Sequence, residues 1–207
     1  MVPRAFTTGA APAPTIASVA DARIDLVEPT DAPIMARPWF ATNGETSPIV
    51  RALAQVPELL PVTMPFLGAV LGASAIDLRT KELVILRVSS LRECRYCIGA
   101  HRLAAADAGV TARESGALCG QLPLEDVFDE ATVDLLRLVD ETAGSGDVPD
   151  RVVAAVRRRI GDHGVVEIVL LAATTLLLNR LCTTLRLPLT AASTARVAEL
   201  DAAGIPA

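Results

Sequence analysis

Aromatic side chains are nearly absent from this chain, with one Trp, one Tyr and four Phe among 207 residues. A core without aromatics must be filled by small aliphatic residues. Hydrophobic residues make up 51% of the chain and the mean hydropathy is +0.43, more than an isolated soluble subunit ordinarily carries. The surplus predicts a subunit interface, so a homo-oligomer is expected. An excess of basic charge is missing as well. A net charge of -5 and a pI near 5.1 leave no electrostatic footprint for nucleic acid. The one basic run, Arg157-Arg158-Arg159, comes just before Gly161, where cations complement the negative end of a helix dipole.

Long apolar runs are also lacking. The apolar run without charge at 168–178 has 11 residues, whereas a membrane span needs about 20. No membrane segment is therefore expected. The N-terminus has no basic stretch followed by an apolar one, and four cysteines are too few for a disulfide framework, so a cytoplasmic location is expected. There is no dinucleotide-binding glycine fingerprint, no P-loop, no nucleophile elbow and no alternation of strand and helix patterns. Nothing in the composition calls for a cofactor.

What is present reads as one helical domain behind an irregular arm. Residues 1–45 are rich in proline, including Pro3, Pro12, Pro14, Pro29, Pro33 and Pro38, and show no sustained period, while 46–207 form the domain. The short alternation Arg23-Ile24-Asp25-Leu26 fits either a strand-like edge or an arm wrapped over the domain, with Trp39-Phe40 as its packing anchor. Helical periodicity then predicts segments at 49–56, 59–71, 78–91 (capped by Asp77) and 94–108 (stopped by Gly109). Others follow at 130–142, 150–160, 163–185 and 190–203. Thr111-Ala-Arg-Glu114 is a capping box that opens a further helix, and Gly144-Ser145-Gly146 is a break. The fold class is all-α.

The chemistry is concentrated in Cys94-Arg-Tyr-Cys97-Ile-Gly-Ala-His101. On a helix the offsets 0, +3 and +7 fall within about 60° of one another, so two thiols and an imidazole share one stripe. A Cys-x-x-Cys pair at a helix start can close into a disulfide with little backbone movement. The unpaired amides and positive dipole end there favour thiolate over thiol, and an imidazole one turn on can carry the proton. On the preceding segment, Glu82 lies beside Ile85, Leu86 and Ser89 on a mostly apolar side. A carboxylate there calls either for a partner or for a cap role in the first turn. Cys119 and Cys182 have no Cys or His at ligand spacing and read as core thiols, and His163 as a cap or surface residue.

Glu82, eleven intervening residues, Cys94-x-x-Cys97, three more and His101 together resemble the signature of the AhpD-like alkylhydroperoxidases in the carboxymuconolactone decarboxylase superfamily. The flanks Leu78-Arg-Thr-Lys-Glu-Leu-Val-Ile-Leu and Ala104-Ala-Ala-Asp-Ala-Gly109 agree, as do Val166-Glu-Ile-Val-Leu-Leu and Asn179-Arg180-Leu further on, so the likeness covers about 49–189. It implies an AhpD-like helical bundle, assembled as a trimer or a multiple of it. The implied activity is a thiol-dependent peroxidase or disulfide oxidoreductase acting on hydroperoxides and reset by an external dithiol or a lipoyl-type protein. The resemblance also implies Cys97 as the peroxide-reacting thiol, Cys94 as the resolving one, and Glu82 with His101 as the proton path. By helix-start electrostatics alone Cys94 is the better attacker, which leaves the order open. Peroxidases of the family carry a second histidine where this chain has Tyr96. A phenol with a pKa near 10 cannot act as a base at neutral pH, though it can donate a hydrogen bond or simply pack. Two other readings use the same residues. One is lactone decarboxylation, in which the thiol pair has no task. The other is a non-enzymatic protein in which zinc on Cys94, Cys97, His101 and Glu82 staples two helices.

Overall fold

The structure, a computed structural model, describes residues 22–144 and 146–204. The early prolines Pro3, Pro12 and Pro14, and Ser145 of the expected glycine-flanked break, lie outside the described residues. Among the described residues there is no strand, and the long elements are α-helices: α1 (Pro48–Leu53), α2 (Leu60–Leu71), α3 (Leu78–Leu91) and α4 (Arg95–Asp107). They continue with α5 (Ala112–Leu118), α6 (Glu130–Ala143), α7 (Asp150–Leu185) and α8 (Ala191–Ala202).

Side-chain caps fix several of these starts. Asp77 accepts the Thr80 amide at 2.9 Å, Asp129 accepts that of Thr132 at 2.8 Å, and Thr190 accepts that of Ser193 at 3.0 Å. Each cap is worth about 1 kcal/mol. At α5 both halves of the Thr111–Glu114 capping box are formed. The expected boundary near residue 161 is real, although the helix resumes at once: within α7 only Gly161 leaves helical geometry, at φ 67°, a left-handed value that suits a residue without Cβ.

Helices α3, α6 and α7 pack around one another, with Leu86, Leu136, Leu138, Ile168 and Leu171 at the centre. Helix α4 lies against α3 and α7, and α8 covers α4, where Arg102, only 4% exposed, pairs with Asp201 at 2.7 Å. Lys81 is the only lysine in the sequence, and it is 1% exposed. Its ammonium donates to the carbonyls of Val70 (2.8 Å) and Gly72 (2.6 Å) at the end of α2, and it pairs with Glu167 of α7 at 2.9 Å. One cation thereby satisfies the free carbonyls of one helix and ties three helices together.

The described part of the arm wraps its own domain. The Arg23 amide donates to the Leu185 carbonyl at 2.9 Å, Val27 and Arg51 bond to each other through the backbone and the guanidinium, and Trp39 and Phe40 pack over Ala54 and Leu60. The run Arg157–Arg159 faces carboxylates of this chain, Arg157 on Asp162 and Arg159 on Glu130 at 3.1 Å and Asp134 at 3.5 Å. By length and composition α7 could cross a membrane. Its place here is the centre of the bundle, with Ile168, Leu171, Ala172, Thr175, Asn179 and Cys182 buried along one side.

The opposite side of α7 exposes Val166 (65%), Leu170 (44%) and Leu177 (59%), on one stripe at helical spacing. The neighbouring α2 exposes Val62 and Phe66 in the same way. An apolar face of this kind predicts self-association. Sedimentation at micromolar concentration should give a mass at least twice 21.6 kDa, and Val166→Glu with Leu170→Glu should lower it. A wild-type monomer would remove the interface.

Candidate active site

The end of α3 and the start of α4 share one tight corner. The Cys94 amide donates to the Ser89 carbonyl and the Glu93 amide to that of Ser90, both at 3.0 Å. This is the paired bonding of a Schellman turn, whose left-handed position is ordinarily glycine. Here it is Glu93, at φ 52°. The corner makes Cys94 at once the last residue tied to α3 and the N-cap of α4. Behind it, Asn179 of α7 donates to the Ser89 hydroxyl at 3.2 Å, which pins the corner to the central helix.

Cys94 and Cys97 are both buried, with their sulfurs 3.0 Å apart and no bond between them. The expected placement of the pair at a helix start is therefore realised. On the preceding helix, Glu82 meets His101, its Oε2 2.9 Å from Nδ1, and both side chains are largely covered. The partner that the Glu82 position calls for is the site histidine. His101 follows Cys97 by four residues on α4, a spacing that puts their Cβ atoms about 5–6 Å apart. Tyr96 turns another way. Its hydroxyl bonds to Ser47 at 3.0 Å, at the foot of α1, and burial pushes its pKa up to about 12, so the phenol holds the corner against α1 without ionising.

A third thiol completes the cluster. Cys182 is buried as expected of a core residue, but it is not without partners: it hydrogen-bonds to both Cys94 and Cys97 from the last turn of α7. The three sulfurs do not share charge evenly. Hydrogen bonds from Cys182 and then from Cys97 hold the Cys94 thiol far below the ordinary thiol range. Hydrogen bonding to Cys182 and Cys94, with burial, pushes Cys97 up, and hydrogen bonding to Cys94, with burial, pushes Cys182 up. Cys94 is the thiolate and the other two are donors to it. No local spacing could announce Cys182, which lies 85 residues beyond Cys97. The available signal was its position three after Asn179 on the buried stripe of α7. Cys119 stands apart, its pKa raised by burial, and His163 is exposed near Glu167.

Above the cluster lies a cleft of about 520 Å3 whose lining includes Cys94, Cys182 and Tyr96 with Arg23, Arg95 and Arg186. Cys97 does not line it. Among the described residues, the non-glycine positions of positive φ are Glu93 and Arg186, and both border this cleft. Each costs about 1–2 kcal/mol, so two strained corners converge on the cleft that the buried Cys94 lines. The zinc reading finds no support in this geometry: among the described residues no group of three or more His, Cys, Asp or Glu side chains is arranged to hold a metal.

Residues 57–141 match the family model for the carboxymuconolactone decarboxylase family. That match spans less than half of the chain, and the fold of the chain is AhpD-like. The fold resembles an uncharacterised peroxidase-related protein from Ralstonia eutropha JMP134, described as an alkylhydroperoxidase AhpD core. The TM-score is 0.74 and the identity 16%, covering 83% of this chain and 94% of that one. An uncharacterised peroxidase-related protein from Silicibacter sp. TM1040 gives a TM-score of 0.69 at 19% identity, covering 83% and 93%. A protein of unknown function from Agrobacterium tumefaciens gives 0.59 at 21% identity, covering 65% and 92%. A comparison with curated proteins finds no match. The superfamily match ends before Cys182, so the third thiol is a feature outside the matched segment.

The charge ordering predicts unequal reactivity. A thiol whose folded pKa is depressed is already thiolate above that value, so alkylation of Cys94 by iodoacetamide should hardly change between about pH 6 and 8. Labelling of Cys119 should instead climb throughout that range. In Cys182→Ala, which removes the principal donor to Cys94, the Cys94 rate at pH 6 should fall. A Cys94 rate rising about tenfold per pH unit in the wild type would contradict the assignment.

Proposed function

We propose that the chain is a thiol-dependent peroxidase or disulfide oxidoreductase working through Cys94 and Cys97. The observation that carries this reading is the sulfur pair 3.0 Å apart at the start of α4, with the Glu82–His101 pair beside it. In this scheme the Cys94 thiolate at the floor of the cleft attacks the outer peroxide oxygen. The O–O bond breaks, the alcohol leaves with a proton from water, and Cys94 becomes a sulfenic acid. Cys97 then attacks that sulfur, forming the disulfide and expelling hydroxide, which leaves as water. Its thiol is held protonated by its surroundings, so this second step is the one that needs a base. His101, one turn along and oriented by Glu82, is placed to receive that proton. An external dithiol, small or carried on a lipoyl-type protein, reduces the disulfide by exchange. Such a cycle belongs in a reducing compartment such as the cytoplasm and in the trimeric type of assembly that the resemblance implies.

The assignment of Cys94 as the attacking thiol departs from the order that the resemblance implies. It rests on the cleft and on the hydrogen bonds that hold its charge. Rapid-mixing experiments with an alkyl hydroperoxide should find sulfenic acid on Cys94 in Cys97→Ser, and no peroxide consumption in Cys94→Ser. His101→Phe and Glu82→Gln should each slow disulfide closure by about 10²-fold at pH 7, with the deficit shrinking as the pH approaches ordinary thiol values near 8.5. Rates within twofold of wild type in both variants would remove the proton path.

A further inference from the structure

Cys182 has no task in that cycle, although it touches both sulfurs that do. It sits on the last turn of α7, is 1% exposed, and shares one apolar pocket with Cys94, Cys97, Ala52 and Leu187. A thiol within hydrogen-bonding reach of two sulfurs that form a disulfide is within reach of exchange with it. We propose that Cys182 is a third redox thiol of the site, which takes Cys97 into a buried Cys97–Cys182 disulfide and returns Cys94 to the cleft as a free thiolate.

The step rests on the redox reading of Cys94 and Cys97 and needs no further oxidant. The Cys182 sulfur attacks Sγ of Cys97 in the Cys94–Cys97 disulfide. The bond between Cys97 and Cys182 forms as that between Cys94 and Cys97 breaks, and Cys94 departs with the electron pair. The proton of Cys182 moves along its existing hydrogen bond to the departing sulfur and is lost to water in the cleft. One disulfide replaces another, so nothing is oxidised or reduced overall.

Direction follows from the surroundings of the three sulfurs. Exchange runs fastest when the leaving sulfur is the best-stabilised thiolate, and the departing Cys94 sulfur keeps donors that the exchange does not consume, the Cys97 amide at the α4 start and the Thr183 hydroxyl. Attack on Cys94 would instead expel Cys97, whose thiolate the surroundings disfavour. Cys94 and Cys182 both line the cleft and Cys97 does not, so either disulfide leaves one linked sulfur facing it. The oxidised site thus holds its disulfide between Cys97 and Cys182 while presenting Cys94 as a nucleophile at the cleft. An external dithiol can draw the equivalents out at Cys182 or through the reverse exchange at Cys94.

Differential alkylation with peptide mapping tests this. Wild-type protein is oxidised with one equivalent of diamide, its free thiols are blocked at pH 7, and the disulfides are then reduced and labelled. About a tenth or more of the molecules should carry blocked Cys94 with Cys97 and Cys182 linked. In Cys94→Ser, diamide should give the Cys97–Cys182 linkage directly. Finding Cys94 always linked and Cys182 always blocked in the wild type overturns the proposal. So does recovery of both thiols unlinked in Cys94→Ser while far-ultraviolet circular dichroism shows it folded. Diamide keeps the result independent of peroxide chemistry: exchange among the three thiols without hydroperoxide turnover supports this proposal and counts against the peroxidase reading alone.

Discussion

The site hangs on a single backbone hydrogen bond, from the Cys94 amide to the Ser89 carbonyl. It forces the chain from α3 into α4 without a spare residue, at the cost of a left-handed Glu93. Because α3 is buried among α4, α6 and α7, the corner inherits the rigidity of the core. Cys94 is held at a helix start, Cys97 follows one turn later, and Glu82 on the α3 side of the corner is brought across to His101. Loosening the corner would separate the carboxylate from the imidazole and the thiols from α7 together. That common dependence is why residues so far apart in role sit within one short stretch of chain.

Electrostatics inside the thiol cluster then set a direction that geometry alone does not. Three sulfurs packed in one apolar pocket cannot all ionise, since each further charge would sit unsolvated beside the first. Two donors facing one acceptor resolve the competition in favour of Cys94, which also lines the cleft. Arg23, Arg95 and Arg186 around the mouth add a positive surround that favours an anion at that point. Elsewhere charge is neutralised locally, as in the bidentate pair of Arg87 and Asp140 at 2.6 and 2.8 Å.

Much of this was legible in the order of residues because the relevant physics is local. Caps at Asp77, Thr111 and Thr190 depend on neighbours within three positions, and a glycine that leaves helical geometry marks its own break at 161. The thiol pair and its histidine are likewise one helical pattern. Glu82 was half legible: periodicity shows that it needs a partner, but only the packing of α3 on α4 supplies His101. Cys182 and Arg23 were not legible as site residues, because what brings them there is tertiary contact across most of the chain. The roles of the two cysteines depend on them, so the order of attack suggested by family likeness and by structure differ.

The buried ammonium of Lys81 has a consequence of another kind. The chain has no other lysine, and this one is enclosed by α2, α3 and α7. The folded surface therefore offers no side-chain amine to acylating or cross-linking reagents, and a protease that cuts only after lysine has a single target locked inside the bundle. Cleavage at that one bond would count the molecules in which the three helices have parted, which makes the protein its own reporter of global opening.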